Sequence, residues 1–345
     1  MTKQTPLRVA VIGTGRIGRL HAEHLAYRVP GAKLVALADV NMQSARECAE
    51  RLGVPADAVY EDYHAILDRA DVDAVVVCSS TDTHAQIICE AAQAGKHIFC
   101  EKPVDNELSK IDQALSAVEK AGVKLQVGFN RRFDPNFRHV WDTVRKGSVG
   151  DVHILRITSR DPEPPPADYV SVGMFLDMTI HDFDMARYLV GSEVKRVHAV
   201  GAALVNPKFA DVGDIDTAVI TLEFENGAFG TIDNSRKAVY GYDQRVEVFG
   251  NKGSISAENN TPHRTTLSNE KGIHQPLPLN FFLDRYIDSY IEEMRQFVDC
   301  VVNDTPSPVD GNDGRVPVMI ALAAKRSLVE GRPVELREVA EPVLV

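Results

Sequence analysis

The sequence predicts an α/β protein of two domains. The first, over residues 1–128, is a doubly wound parallel sheet; the second, over 129–345, is an α/β domain with a large, mostly antiparallel open sheet. Three observations carry this reading. Short apolar strands alternate with helical stretches as far as residue 128, the rhythm of a parallel sheet covered by helices. A glycine-rich turn, GTGRIG (13–18), joins the first strand to the first helix. After residue 150 the strand patterns follow one another through Asn-Gly and Lys-Gly turns, as antiparallel neighbours do.

The elements follow in order. LRVAVI (7–12) is an apolar strand and 16–29 a helix stopped by Pro30-Gly31. KLVALA (33–38) is a second strand ending at Asp39, followed by a helix over 42–52 that stops at Gly53. DVDAVVVCSS (71–80) is a buried strand, 83–95 a helix and KHIFCEKP (96–103) another strand. A helix over 108–121 and the strand KLQVGFN (124–130) complete the first domain. Beyond it, 135–147 reads as helix and VHILRITSR (152–160) alternates like a half-buried strand. The Pro-rich loop DPEPPP (161–166) cannot continue a strand interior. LDMTIHDFDMARYLVG (176–191) reads as one helix, and 194–204, 216–236 and 244–258 as strands. Two helices, over 282–302 and 316–331, close the chain, and the second is expected to return toward the first domain.

The 345 residues suffice for two cores. A net charge of −11 argues against nucleic-acid or anionic-membrane partners, which need basic patches; Arg131-Arg132 is the one local candidate for such a patch. No apolar run approaches the ~18 residues that span a bilayer. The five cysteines form no CxxC pair and are expected to be free thiols in a reducing compartment. The N-terminus lacks signal-peptide architecture, so a cytoplasmic location is expected.

Three constellations carry chemistry. The first is Gly13-Thr14-Gly15-Arg16-Ile17-Gly18, between a strand and a helix, with Asp39 ending the next strand. The glycines permit a tight turn, close backbone approach to a pyrophosphate and helix–strand packing. The helix N-terminus supplies N–H groups for the anion. A carboxylate at Asp39 accepts from ribose hydroxyls and repels a 2′-phosphate, which favours NAD over NADP. The second is Glu101-Lys102-Pro103, at the carboxyl end of a parallel strand, where such sheets bind ligands. The third is Asp177 and His181, four residues apart, a spacing that on one helix puts a carboxylate beside an imidazole. That pairing fixes a tautomer and tunes a proton acceptor. Asp184 extends the stripe, while Asp182 and Asp184 also read as a solvated face or a helix-start charge. No second His or Cys stands at ligand spacing, so no metal is expected.

GTGRIGRLHAEHL, STDTHAQIICEAAQAGKHIFCEKP, QVGFNRRFDP and LDMTIHDFDMARYL resemble the Gfo/Idh/MocA oxidoreductase family over residues 7–336. SRDPEPPP and YGYDQRVEVFG add a resemblance to its inositol 2-dehydrogenases. The resemblance implies a Rossmann domain, a C-terminal open sheet that builds a homotetramer, and NAD as cofactor. It implies a catalytic set of Lys102, Asp177 and His181. It further implies substrate contacts from Arg132, Asp161 and Tyr242 or Tyr240, and cofactor contacts from Thr81, His84, Glu101 and Lys102. The implied reaction oxidises myo- or scyllo-inositol to a keto-inositol. One departure stands out: Val172-Gly173 occupies a place where such enzymes commonly carry Gly-Gly. Two rival readings are another sugar or polyol oxidoreductase of the same family using NAD(P), and a non-catalytic NAD-binding sensor.

Overall fold

The computed structural model describes residues 5–165 and 172–340. The chain forms two compact units. One comprises the chain to Asn130 together with Asp288–Val316; the other comprises Arg131–Ile287 together with the chain from Pro317 onward.

The first unit holds β1 (Leu7–Ile12), α1 (Arg16–Tyr27), β2 (Ala32–Ala38), α2 (Met42–Leu52), β3 (Val59–Tyr60), α3 (His64–Leu67), β4 (Ala74–Val77), α4 (Thr81–Gln93), β5 (His97–Glu101), α5 (Leu108–Ala121) and β6 (Leu125–Gly128). Its six strands pair in the order β3-β2-β1-β4-β5-β6, all parallel. Strand order reverses between β1 and β4, which opens a crevice at their carboxyl ends. Val9 and Val11 of β1 and Val75, Val76 and Val77 of β4 have no exposed surface. A strand covered on both faces requires such continuous apolar runs, and each buried valine contributes roughly 1.5–3 kcal/mol. Local signals set the helix ends. Asn41 caps α2 by accepting from Ser44 N, and Gly53 ends it at φ +71.

Residues 288–316 complete this unit. Phe297 packs edge-on against Phe99 of β5, ring centres 5.8 Å apart. Gln126 Nε2 donates to the Glu293 carbonyl at 2.9 Å, and Val127 N donates to Val309 O at 3.0 Å. At Gly314 a Cβ would stand 2.9 Å from a Val127 methyl, so only glycine permits this approach.

The second unit holds α6 (Pro135–Arg145), β7 (Val152–Arg160), α7 (Met174–Asp177), α8 (Ile180–Val190), β8 (Val194–Ala202), α9 (Lys208–Asp211), β9 (Thr217–Phe224), β10 (Phe229–Ser235), β11 (Asp243–Gly250), β12 (Gly253–Ala257) and a small hairpin, β13 (Leu267–Asn269) with β14 (Gly272–His274). α10 (Phe282–Val302) and α11 (Gly311–Glu330) each cross between units in sequence, and β15 (Val334–Glu335) and α12 (Arg337–Ala340) follow. Seven strands pair in the order β12-β11-β7-β10-β9-β8-β15. All of these pairs are antiparallel except β7 with β10, which is parallel because α7, α8, β8 and β9 intervene in sequence. Gly227, at φ +88, makes the Asn-Gly turn between β9 and β10. One face of the sheet is buried; the other exposes Val200, Val219, Phe229 and Phe249 on paired strands.

Two expected elements differ. α11 begins at Gly311, ahead of the apolar run at 316, so that Pro317 falls inside the helix and the added turn brings Gly314 onto β6. The expected single helix over 176–191 is two: α7 ends at Asp177, and α8 begins at Ile180 after a turn at Met178-Thr179. Thr179 is fully buried and its hydroxyl donates to Asn234 Oδ1 at 2.7 Å. That tether to β10 replaces regular helical bonding, and Thr179 N bonds back to Met174 O instead.

Candidate active site

In the first unit the glycines of the turn after β1 have distinct reasons to be glycine. Gly13 lies at φ +94, and a Cβ there would meet the Cys78 carbonyl carbon at 2.5 Å. A Cβ on Gly18 would stand 1.9 Å from Gly13 O. Gly15, the residue before α1, has nothing within 4 Å of where its Cβ would be. Packing therefore demands glycine at 13 and 18 but not at 15. An open backbone at a helix N-terminus is what the approach of a pyrophosphate needs. Thr14 is buried and ties the turn to the next strand: its N and Oγ1 donate to Asp39 Oδ2 at 2.5 and 2.9 Å. Asn41 N donates to Asp39 Oδ1 at 2.8 Å, which fixes the carboxylate at the edge of the crevice. Arg16 is exposed and Ile17 half-buried on the first turn of α1.

Glu101 closes β5, and the Lys102–Pro103 bond that follows is cis. His84 is 2% exposed and both its ring nitrogens face carbonyls: Nδ1 the Pro103 oxygen at 2.8 Å, Nε2 the Ser79 oxygen at 3.1 Å. His84 therefore braces the Lys102–Pro103 segment against the loop after β4. Thr81 opens α4 beside it. Glu101 Oε1 bonds His21 Nε2 of α1 at 2.7 Å.

The second unit gathers a dense polar set around α7, α8 and the ends of β7, β10 and β11. Arg236 is 2% exposed, and its Nη2 donates to Asp177 Oδ2 at 3.0 Å. Asp161 follows β7; its backbone accepts from Ala238 N at 2.6 Å. Burial pushes the Asp161 carboxyl up to about 6; nearby Asp177 adds to that rise, and Arg236 and Arg131 oppose it. Tyr242 is buried against Tyr286, with Arg131 and Asp161 acting on its hydroxyl, and burial pushes that phenol well above its usual range. Tyr240 lies elsewhere: its hydroxyl donates to Asp243 at 2.6 Å and accepts from Arg160 at 2.9 Å. Of the two tyrosines, Tyr242 keeps company with Asp161. His181, on the first turn of α8, is half-buried.

The double arginine is not a surface patch. Arg131 donates to Asp182 Oδ1 at 2.6 Å and to Ser159 Oγ at 3.3 Å, and Asp182 also accepts from Asn234 Nδ2 at 2.9 Å. Arg132 grips Asp184 through Nε and Nη2, the latter at 2.6 Å. Asp182 and Asp184 have no exposed surface, so neither forms the solvated face considered above; burial without an arginine partner would be prohibitive for each carboxylate. Arg132, expected at the substrate, is held by Asp184, whereas Arg131 stands with Tyr242 and Asp161. The sequence marked Arg131 only as part of a charged patch and did not mark Arg236, Asn234 or Ser159. The RR dipeptide and the Asp182–Asp184 pair were the available signals; nothing local marks Arg236. Val172 is exposed, and Gly173, at φ +94, leads into α7, whose first N–H donates to Asp214 Oδ1 at 3.0 Å. Asp168, upstream of Val172 in the sequence, lies outside the described residues.

Comparison with known proteins decides the family. Residues 7–129 match the model described as an oxidoreductase family with an NAD-binding Rossmann fold, and 137–256 match the GFO/IDH/MocA C-terminal domain. The chain belongs to the Gfo/Idh/MocA oxidoreductase family. It is 52% identical to an uncharacterized oxidoreductase, YrbE, of Bacillus subtilis, over 97% of this chain and 98% of that one. It is 50% identical to the myo-inositol 2-dehydrogenase of Thermotoga maritima, over 96% of this chain and 99% of the relative. Among solved structures it matches the scyllo-inositol dehydrogenase of Lactobacillus casei with bound NAD(H) and scyllo-inositol. There the TM-score is 0.91 at 30% identity, over 96% of this chain and 99% of that one. As a Gfo/Idh/MocA protein the chain has an NAD-binding first unit, and the open turn at Gly15 with Asp39 fits that cofactor.

Proposed function

We propose that this Gfo/Idh/MocA protein is an NAD-dependent inositol dehydrogenase, oxidising one ring CH–OH of myo- or scyllo-inositol to a ketone. The polar set of the second unit carries this reading. An inositol is an uncharged ring of vicinal hydroxyls, and it calls for many donors and acceptors with no net charge lock. Asp161, Asp177 and Tyr242, with Arg131 and Arg236 balancing the carboxylates, have that character. The relatives that span nearly the whole chain support it.

The bound cofactor supplies the hydride acceptor. His181 takes the proton of the reacting hydroxyl, since an imidazole with an unperturbed pKa near 6.5 is suited to neutral pH. Asp177, fixed by Arg236, steadies the charged imidazole that results. Lys102 stabilises the alkoxide as it develops, and it stands as the alternative base. Asp161, Tyr242 and Arg131 hold the remaining hydroxyls, while Arg132 fixes α8 through Asp184. Asp39 accepts from the ribose of NAD and disfavours a 2′-phosphate. Thr14 and His84 hold the segments that carry Asp39 and Lys102.

We further propose a homotetramer built on the open sheet, whose outer face exposes Val200, Val219, Phe229 and Phe249. A cytoplasmic location suits five free cysteines. No described helix is long and apolar enough to cross a membrane. The test is NADH formation by purified protein with myo-inositol, scyllo-inositol, D-chiro-inositol or glucose, repeated with NADP. NAD-linked turnover of an inositol is expected. Turnover only of aldoses, or only with NADP, would move the protein to another branch of the family, and NAD binding without any turnover would make it a sensor. Light scattering of the same sample reads the oligomer.

A further inference from the structure

The floor of the first unit contains a group that the proposed reaction does not use. Glu293 has no exposed surface, and neither of its carboxylate oxygens has a hydrogen-bond partner. It faces Glu101, the residue immediately before Lys102, and His21 of α1; one ligand atom from each lies within 4.8 Å of the others. A Cβ on Gly128 would stand 3.0 Å from Glu101 Oε2, so the carboxylate lies against the bare backbone of β6. The titratable groups packed around the cluster are His21 and His24 of α1, Cys78 after β4, Cys100 and Glu101 of β5, and Tyr290 on the helix of Glu293.

Two carboxylates this close cannot both be ionised in a buried setting unless a cation or a proton sits with them. A dication is the poorer fit. His21 Nε2 and Glu101 Oε1 are 2.7 Å apart, hydrogen-bonded to each other. Two ligands of one zinc ion, each about 2.0–2.2 Å from the metal, stand farther apart than that in a tetrahedral site. Burial first, and the Glu101 charge second, raise the Glu293 carboxyl well above its usual range, in keeping with a retained proton.

We propose that Glu293 is a positioning residue: as a neutral carboxylic acid it turns its proton toward Glu101 rather than setting a second buried charge against it and, with His21 bonded to Glu101, fixes the end of β5 from which Lys102 emerges. The inference rests on the reading of Lys102 as a group that acts on the substrate. The His21–Glu101 bond links α1, which follows the glycine turn, to the segment that carries the lysine.

The experiment compares Glu293→Gln with Glu293→Leu in the full-length protein. The Gln carboxamide keeps a donor toward Glu101; Leu removes it at similar volume. In the wild type, difference infrared spectroscopy at neutral pH should show a protonated-carboxyl C=O band that is absent from Glu293→Gln, a result that does not depend on which polyol is oxidised. In inositol oxidation, Glu293→Leu should lose up to ~10²-fold in kcat, the scale of a misplaced catalytic group, with KM for NAD little changed. Glu293→Gln should rescue kcat and remove the alkaline loss of activity that follows when wild-type Glu293 gives up its proton. Absence of the infrared band, or a kcat for Glu293→Gln as low as for Glu293→Leu in a folded protein, would overturn the proposal. So would a stoichiometric metal ion, found by elemental analysis of purified protein and lost in Glu293→Gln. A wild type that oxidises no inositol but shows the band would sink the enzymatic reading while leaving the protonated Glu293 standing.

Discussion

Arg236 Nη2 lies 3.0 Å from Asp177 Oδ2, so the carboxylate at the end of α7 is held by a guanidinium that is itself 2% exposed. The pair joins the residue after β10 to the turn that precedes α8. Removing Arg236 takes a charge-assisted partner from a carboxylate that is only partly exposed. Arg236→Ala should therefore reduce kcat/KM for inositol by ~10–10²-fold, within the range that misplacement of a reacting group costs. Arg236→Lys should restore part of it. Near-normal kinetics in Arg236→Ala would show that Asp177 does not depend on it.

His181→Ala should lower kcat by ~10²–10⁴-fold, the worth of a general base, while NADH fluorescence titration shows unchanged cofactor binding. If instead Lys102 is the base, Lys102→Ala will show the larger loss and will remove the pH dependence of kcat. The two variants measured side by side assign the proton.

The glycine turn separates fold from ligand. Gly18→Ala places a methyl 1.9 Å from the Gly13 carbonyl and should lower the melting temperature in the absence of cofactor. Gly15→Ala meets no protein atom within 4 Å and should melt like the wild type, yet bind NAD more weakly by ~10-fold or more. Equal NAD affinity in Gly15→Ala would remove the pyrophosphate from this position.

Asp161, pushed up to about 6 by burial, gives the pH prediction. Its pKa is raised in the folded state, so below the ordinary aspartate range it is neutral whether folded or not, and folding carries no charge penalty from it. As pH rises from that range through 6, the unfolded chain ionises first, and the native state loses the stability that the proton supplied. Asp161→Asn should flatten the fall in melting temperature over that window. As a carboxylate it accepts from substrate hydroxyls, so in wild type KM for inositol should fall as pH rises through 6. In Asp161→Asn the KM should be higher and independent of pH there. A wild-type KM that does not vary across that window would place Asp161 outside the substrate set.

Much of the molecule was legible from residues alone. β1, α2, α5, β7 and α10 follow the hydrophobic period and its stop signals, because helix and strand periodicity is a property of neighbouring residues. The glycine turn with Asp39 was legible for the same reason: strand, turn and helix lie within one short stretch. The partners of Asp177 were not. Its spacing from His181 promised one regular helix, but Thr179 is drawn to Asn234, 55 residues away, and the helix breaks there. Nor could composition tell that Arg131 and Arg132, candidates for a charged surface, are buried against Asp182 and Asp184 more than fifty residues on.

The sequence by itself determined the two kinds of sheet and the glycine turn between β1 and α1, since these follow from local periodicity and local backbone freedom. Only the tertiary structure decided that residues 288–316 return to the first unit. It also sorted Tyr242 from Tyr240 and set Glu293 behind Glu101. Those outcomes depend on which charges and side chains are desolvated together. Desolvation is a property of contacts between distant parts of the chain, and no run of neighbouring residues encodes it.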